Sequence, residues 1–441
     1  MSLAAEAHED GTPPKAPPME DAPNYDAKKA PEATPLPWEG PWIPARRKDQ
    51  TQTTPGYILT PAAANIPGIG FAYGVLGSFF NVNETEVDVL GFRFWGDLAG
   101  QGAGVVDMFL VPQRPELLTL NLFWNDFEKA AIETHRRGID SDRDERSIVE
   151  LDGFAVTYAQ LNLRLWERRL QFNVAGNTQS ATLGRIRDKD GEVITESDGK
   201  TEKGFNRAFG AVLDLTDDKS DPRDGLSAEV YKYDRPDPGG DQPKFYTMDY
   251  NVLYYVPMAR KNTLVFNVYR SDAIVERKGE TDAATIRENL GFMCDVQTGE
   301  AAEECRRVED QYVGETLAAN KYGTASPIGG TQRLRSYVTN RFAAAHAFAF
   351  GTEFRWNLTE EFTPFNIFVA GGVRTGIQVA AFVEAGTVSD YESKLDENYK
   401  PSYGLGLRFI LASGFVLRAD VAAGDEGTQP TLIFQYPWAV F

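Results

Sequence analysis

The chain has 441 residues, 64 of them acidic and 45 basic, which gives a formal net charge of −19. So acidic a chain is not expected to bind nucleic acid. No apolar run reaches the roughly 18 residues a membrane-crossing helix needs, but transmembrane β-strands alternate in polarity and leave no such run. The mean hydropathy of −0.37 is therefore compatible with a barrel whose lumen and loops are polar.

Residues 1–55 come first and are rich in Pro, Ala, Glu, Asp and Lys. Pro13-Pro14, Pro17-Pro18 and the prolines from Pro35 to Pro44 break helix and sheet alike. Few apolar groups are present to offset ordering entropy, so a disordered tail is expected. Ala5-Glu6-Ala7 fits a cleavage site that ends a truncated signal sequence.

From residue 56 to residue 441 the pattern changes to period two, rich in aromatic and β-branched residues. Leu161, Leu163 and Leu165 alternate with Gln160, Asn162 and Arg164, and Leu170, Phe172 and Val174 alternate with Arg169, Gln171 and Asn173. Tyr246, Met248, Tyr250, Val252 and Tyr254 share one face, with Thr247, Asp249 and Asn251 on the other. Phe348, Phe350, Phe354 and Trp356 alternate with Glu353, Arg355 and Asn357, and Leu417, Ala419 and Val421 with Arg418 and Asp420. A soluble β-sandwich also alternates, but charged inward faces suit a wet lumen better than a dry core.

The connections fall into two alternating sets. Pro112–Pro115, Glu167–Arg168, Met258–Asn262 and Ala412–Gly414 are short. Asp126–Asp152, Arg185–Lys203, Asp272–Thr331 and Ser389–Lys400 are long and polar, the largest loop covering about 272–340. Short periplasmic turns and long external loops are the pattern of an all-β, antiparallel, up-and-down transmembrane barrel. About fifteen strands can be read directly. Closure favours an even number, so sixteen are expected. The remaining strand falls in Gly56–Val82, where Pro61 and Pro67 interrupt the alternation.

Cys294 and Cys305 lie close together in the largest loop, and their spacing permits a local disulfide in an oxidising compartment. A metal site is weaker, because no histidine lies nearby. His8, His135 and His346 are scattered, and the chain has no nucleophile elbow, phosphate-binding loop or zinc-protease motif. Enzymatic activity and a cofactor are therefore not expected. Glu353 and Glu384 form a possible carboxylate pair for glycoside hydrolysis, but a structural ion-pair site is the stronger reading.

The most specific motif ends that loop: Gly329-Gly330-Thr331-Gln332-Arg333-Leu334-Arg335-Ser336-Tyr337. Two strands downstream each carry one inward-parity glutamate, Glu353 in Phe350–Trp356 and Glu384 in Phe382-Val383-Glu384-Ala385-Gly386. A buried arginine needs carboxylate partners, and these strands offer one each. This order resembles the BamA-type superfamily of outer-membrane β-barrels, the bacterial surface antigen family. There a long external loop folds back into the lumen and pairs the arginine of a Leu/Val-Arg-Gly-Phe/Tyr tip with acids on the wall. Leu334, Arg335 and Tyr337 match the tip, and Ser336 stands where the family usually has glycine. Asp214-Leu215-Thr216-Asp217-Asp218, followed by Pro222 and Gly225, resembles the family's Asp-rich strand-turn-strand element. Thr431–Phe441 resembles its terminal strand, with Phe441 as assembly signal, although Pro437 removes a ladder donor and implies a bulge.

The resemblance implies a location in the outer membrane of a Gram-negative-type bacterium, in contact with its lipid. It also implies movement or insertion of a polypeptide or lipid. The tail is too short and proline-rich for the periplasmic POTRA domains of assembly factors, but it is available to a periplasmic protein partner. A passive solute pore and a surface antigen or adhesion scaffold are the alternatives.

Overall fold

In the computed structural model of the chain, residues 55–434 are described except 86, 116, 167, 197–198, 200, 219–220, 259–261, 360–363, 368–369 and 412–414. The expected tail and Phe441 lie outside the described residues. The strands are β1 Gly56–Ile66, β2 Gly70–Phe80, β3 Asp88–Gly96, β4 Ala99–Phe109, β5 Leu118–His135 and β6 Arg146–Leu165. Then come β7 Leu170–Arg187, β8 Val193–Glu196, β9 Thr201–Asp214, β10 Gly225–Asp234, β11 Lys244–Met258 and β12 Asn262–Arg277. Helices α1 Ala283–Leu290 and α2 Glu300–Tyr322 follow, and then β13 His346–Asn357, β14 Pro364–Ile367, β15 Ala370–Ser389, β16 Lys400–Leu411, β17 Phe415–Gly424 and β18 Gly427–Phe434.

All belong to one antiparallel sheet. The two four-residue strands β8 and β14 sit beside hairpins whose long arms pair directly, β7 with β9 and β13 with β15. The remaining sixteen strands form the closed wall. Closure runs through β1, which pairs with β2 on one side and meets β18 at Asn65↔Leu432 on the other. There the Asn65 side chain donates to the Pro430 carbonyl at 2.6 Å. Gly56–Val82 folds as the β1–β2 hairpin, with Pro67 in its turn.

The alternation sorts side chains between lipid and lumen. On β11, Tyr250, Val252 and Tyr254 are exposed on the outside, while Thr247, Asp249 and Asn251 are buried inside. Tyr403, Leu405 and Leu407 on β16 face out, and Ser402 and Arg408 face in. An apolar outer belt around a polar interior is the reverse of a soluble core, and only a bilayer makes it favourable.

Three loop boundaries differ from the sequence expectation. The expected Asp126–Asp152 loop is mostly strand, since β5 and β6 pair as far as His135↔Arg146. Likewise β7 continues to Arg187 with β8 alongside, well into the expected Arg185–Lys203 loop. Beyond the lipid belt the outer face of these strands meets water and the inner face meets the largest loop, so period two no longer marks a lipid-facing side and charged ladders appear. Glu150 accepts from both Arg185 and Arg187, and Arg146 pairs with Glu133 at 3.3 Å. The largest loop is 278–345 rather than about 272–340, and it carries α1 and α2 rather than irregular chain alone.

Candidate functional site: a loop locked into the lumen

The site is built by the 278–345 connection. Asp282 caps α1 by accepting from the Thr285 backbone N–H at 2.8 Å, and Gly291 ends it in the left-handed region, φ 66°. A disulfide joins Cys294 to Cys305, which lies on α2. Both cysteines pack with Ile186, Ile194 and Val308. The Tyr312 hydroxyl reaches Ser147 Oγ at 3.1 Å, and Gln297 donates to the Ile194 carbonyl at 2.8 Å. The helical part of the loop therefore rests on the projecting ends of β5–β8.

After α2 the chain turns into the barrel as a finger. Its two sides are joined by Ala325 N–H to the Ala344 carbonyl at 2.9 Å and by a reciprocal Ile328–Phe342 pair at 3.0 Å. Ile328, Leu334, Tyr337 and Phe342 make an apolar cluster with Tyr269, Ala347, Ala349 and Val388 of the wall. Leu334 has φ 51°, and the Tyr337 N–H closes a turn on its carbonyl at 3.0 Å. Gly329, φ 114°, lies so close to the returning chain that a Cβ would sit 2.7 Å from the Val338 carbonyl oxygen.

Arg335 is at the tip and wholly buried. Its Nε donates to Glu384 Oε1 at 3.0 Å, and its backbone N–H donates to the other oxygen of that carboxylate at 3.0 Å. Nη1 donates to Glu353 Oε2 and to Asp420 Oδ2, each at 3.1 Å. The guanidinium lies 3.3 Å from the centroid of the Phe382 ring. Glu353 also accepts from Arg355 at 2.8 Å and from Arg408, and Arg418 lies 3.4 Å from Asp420. Four arginines and three carboxylates thus share a buried network, where each charge relies on its partners.

The same tip also reaches the neighbouring strands β11 and β12 and the start of β16. Arg333 donates to Asn251 Oδ1 at 3.2 Å and stacks 3.7 Å over the Tyr269 ring. Tyr337 donates to the Pro401 carbonyl at 3.1 Å and meets Phe342 edge-on. Ser336, in the position where glycine was the family pattern, has no left-handed φ, and its N–H donates to Ser402 Oγ at 3.0 Å. Room for its side chain comes from Gly424, where an added Cβ would stand 2.3 Å from Ser336 Oγ.

The structure therefore brings Arg335 together with Glu353 and Glu384, and places Leu334 and Tyr337 beside them. Sequence reasoning missed Asp420, Arg355, Arg408 and Arg418 as members. Their inward parity was visible for Arg355, Arg418 and Asp420, but strand parity does not say which distant strands converge on one loop. Phe382 and Gly386 complete an inward-facing row with Glu384. A Cβ on Gly386 would stand 3.2 Å from Leu334 Cδ1, so the glycine leaves space for the tip.

Below this network, toward the short turns, lies a cavity of about 580 Å³. Arg355 belongs both to the network and to the cavity wall, and Arg168, Thr216 and Pro222 of the short turns line its other end. The lumen is thus filled by the finger on the long-loop side and hollow on the short-turn side.

A closed sixteen-stranded barrel with an apolar belt and a long loop pinned inside it defines a plugged outer-membrane β-barrel. The Omp85 superfamily domain model matches residues 111–436, and the chain belongs to that superfamily. It is a Gram-negative outer-membrane protein of a family of insertases and translocases. Among solved structures it is similar to BamA from Haemophilus ducreyi lacking POTRA domains 1–3, with 10% identity and a TM-score of 0.45, covering 87% of this chain and 69% of that one. It is also similar to CdiB from Escherichia coli, with 11% identity and a TM-score of 0.41, covering 86% of this chain and 60% of the other. CdiB from Acinetobacter baumannii gives 11% identity and a TM-score of 0.42, with 86% and 58% covered. No curated protein matches the sequence.

Proposed function

We propose that this barrel moves or inserts a polypeptide or lipid at the outer membrane together with a periplasmic protein partner, and that it does so without an enzymatic step. The observation that carries this reading is the asymmetry of the lumen. The external half holds a finger whose tip arginine, Arg335, is paired to three wall carboxylates, and the periplasmic half holds an open cavity with both aromatic and charged side chains in its wall. A passive solute pore needs a continuous wet path, and a finger docked in the lumen by Arg335 favours the reading in which the barrel does not conduct freely. Membership of the superfamily supports the insertion or translocation reading. Residues 1–55 are the proposed docking segment for the partner.

The test is reconstitution of the full chain into liposomes, followed by addition of a urea-unfolded outer-membrane β-barrel client. Faster client folding than in empty liposomes, with low steady conductance, is the expected result. High steady conductance with no effect on folding or on peptide transfer would replace the proposal with the passive pore. The surface-scaffold reading has one observation of its own, the disulfide-closed helices of the external loop.

A further inference from the structure

We propose that the periplasm-facing cavity is a binding site for a neutral oligosaccharide. The proposal goes beyond the transport reading and does not depend on it.

Charge narrows the class of ligand first. The cavity is lined by three acids, Asp107, Asp214 and Glu229, and three arginines, Arg164, Arg168 and Arg355. Formal charge cancels, so neither an anion nor a cation gains a net Coulombic attraction. Asp107 and Arg164 also form an ion pair with each other. A charged ligand would have to compete with that pair, but a neutral ligand would not.

Two buried polar side chains argue against the next class, a pure hydrocarbon. Asn162 and Arg164 are both more than nine-tenths buried and both line the cavity. Arg164 donates through Nε to Gln171 at 3.2 Å and through Nη2 to Asp107, but its Nη1 has no protein partner. Asn162 donates to Thr119 Oγ1 at 3.3 Å, and its Oδ1 has no protein partner. One unused donor and one unused acceptor therefore stand two residues apart on the inward face of β6, and an apolar ligand would strand both.

Aromatic rings supply the third feature. Phe123, Tyr158, Tyr231 and Tyr255 share the same wall. The Tyr158 hydroxyl donates to Gln160 at 2.8 Å, and Asn173 donates to the Tyr231 hydroxyl at 2.7 Å, so two rings are held by their polar ends. Flat ring faces beside amides, hydroxyls and a charge-balanced guanidinium match a ligand with apolar C–H faces edged by hydroxyls. Each hydroxyl can both accept from Arg164 and donate to Asn162. The volume of about 580 Å³ lies inside the range of small-molecule sites, roughly 300–1,000 Å³. The site is deep in the barrel and opens among the short turns, so the ligand enters from the periplasm.

The test uses the full chain in lipid nanodiscs and saturation-transfer NMR. Maltotriose and chitotriose are the neutral saccharide probes, with tetra-alanine, glucose 6-phosphate and hexanol as competitors of other classes. At least one saccharide is expected to bind, and none of the other three should displace it. Asn162→Leu should weaken binding about tenfold, the effect of losing one hydrogen bond and leaving its partner unpaired. Tyr158→Phe keeps the ring and should weaken it a few-fold. Heat-modifiable migration on gels checks that both variants retain the closed barrel. Three results would overturn the proposal: no binding of either saccharide up to about 10 mM, tighter binding of the peptide than of the sugars, or unchanged binding in both variants.

Discussion

Removing the guanidinium of Arg335 tests whether the docked finger is held by charge. Arg335→Ala deletes three side-chain hydrogen bonds, one each to Glu353, Glu384 and Asp420, and the stacking contact with Phe382. The losses are unequal. Glu353 retains Arg355 and Arg408, and Asp420 retains Arg418. Glu384 loses its side-chain contact with Arg335 and keeps the Arg335 backbone N–H, which an alanine still supplies. Breaking a buried pair by removing one member costs about 3–5 kcal/mol, and the remaining partners place this case near the lower end. The apolar contacts of Leu334, Tyr337 and Phe342 still hold the finger, so it should loosen rather than leave. Planar-bilayer recordings should show more frequent or larger openings. Limited proteolysis should cut faster between residues 320 and 340. Arg335→Lys should rescue poorly, because a single ammonium cannot reproduce a fork aimed at three carboxylates. Glu384→Gln should reproduce more of the effect than Glu353→Gln. If Arg335→Ala equals the parent in conductance, proteolysis and thermal stability, the charge network does not hold the finger and the reading of it as a locked plug fails.

Gly424→Ala drives a methyl into Ser336 Oγ and should destabilise the barrel by about 1–3 kcal/mol. The double variant with Ser336→Gly should recover part of that loss in a thermal melt, the remainder reflecting the Pro401 carbonyl 2.8 Å from the new methyl, and independence of the two changes would refute the proposed fit. Burial pushes the Glu315 carboxyl on α2 up to about 7, against smaller lowering effects from the Gln311 side-chain hydrogen bond and from Arg137. Since the folded value lies above the ordinary 4.5, the folded cap holds a proton that the unfolded cap releases. Cap stability should therefore fall as pH rises from about 4.5 to about 7, by on the order of 1–3 kcal/mol for this half-buried group. Hydrogen exchange of α2 should show the fall, and Glu315→Gln should flatten it. Cys305→Ser removes the closure of Cys294 to α2. It should raise protease access within residues 283–322 and leave heat-modifiable migration of the barrel unchanged.

How much could be read from the sequence depended on where each residue meets lipid. β11 was legible because one face of it contacts hydrocarbon and the other the polar lumen with its docked finger, so Tyr250 and Asp249 could not exchange places. The upper parts of β5, β6 and β7 were not, because no lipid touches them: the largest loop covers residues such as Ser147 and Ile186, and Glu150, Arg185 and Arg187 satisfy one another across strands. The helix α2 left only a faint pattern. Its buried residues include Ala302, Cys305, Val308 and Val313 at helical spacing, but charged residues of both signs fill most of the intervening positions. In the site, Arg335, Glu353 and Glu384 could be picked out because their order along the chain matched a known pattern. Asp420 needed the third dimension: β17 approaches the tip only because β13, β15, β16 and β17 are consecutive around the wall.

The external mouth explains why traffic straight through the lumen is the least economical route for this barrel. Two further arginines knit its loops together. Arg137, between β5 and β6, donates to Asp390 beyond β15, to Thr324 at 2.9 Å and to the Gly323 carbonyl at 2.7 Å at the end of α2. Arg341, on the returning side of the finger, pairs with Glu426 between β17 and β18 at 2.7 Å and donates to the Ser141 carbonyl at 2.7 Å. A planar guanidinium can serve several acceptors at once, so each hub fixes three loop segments with one side chain. Outward opening would have to break both hubs and the Arg335 network, exposing paired charges in one step. A ligand or client arriving from the periplasm meets neither loop hub and touches the Arg335 network only at Arg355, on the cavity wall. The proposed activity therefore belongs to the periplasmic half of the wall and to its membrane-facing side, with the external half acting as a fixed lid.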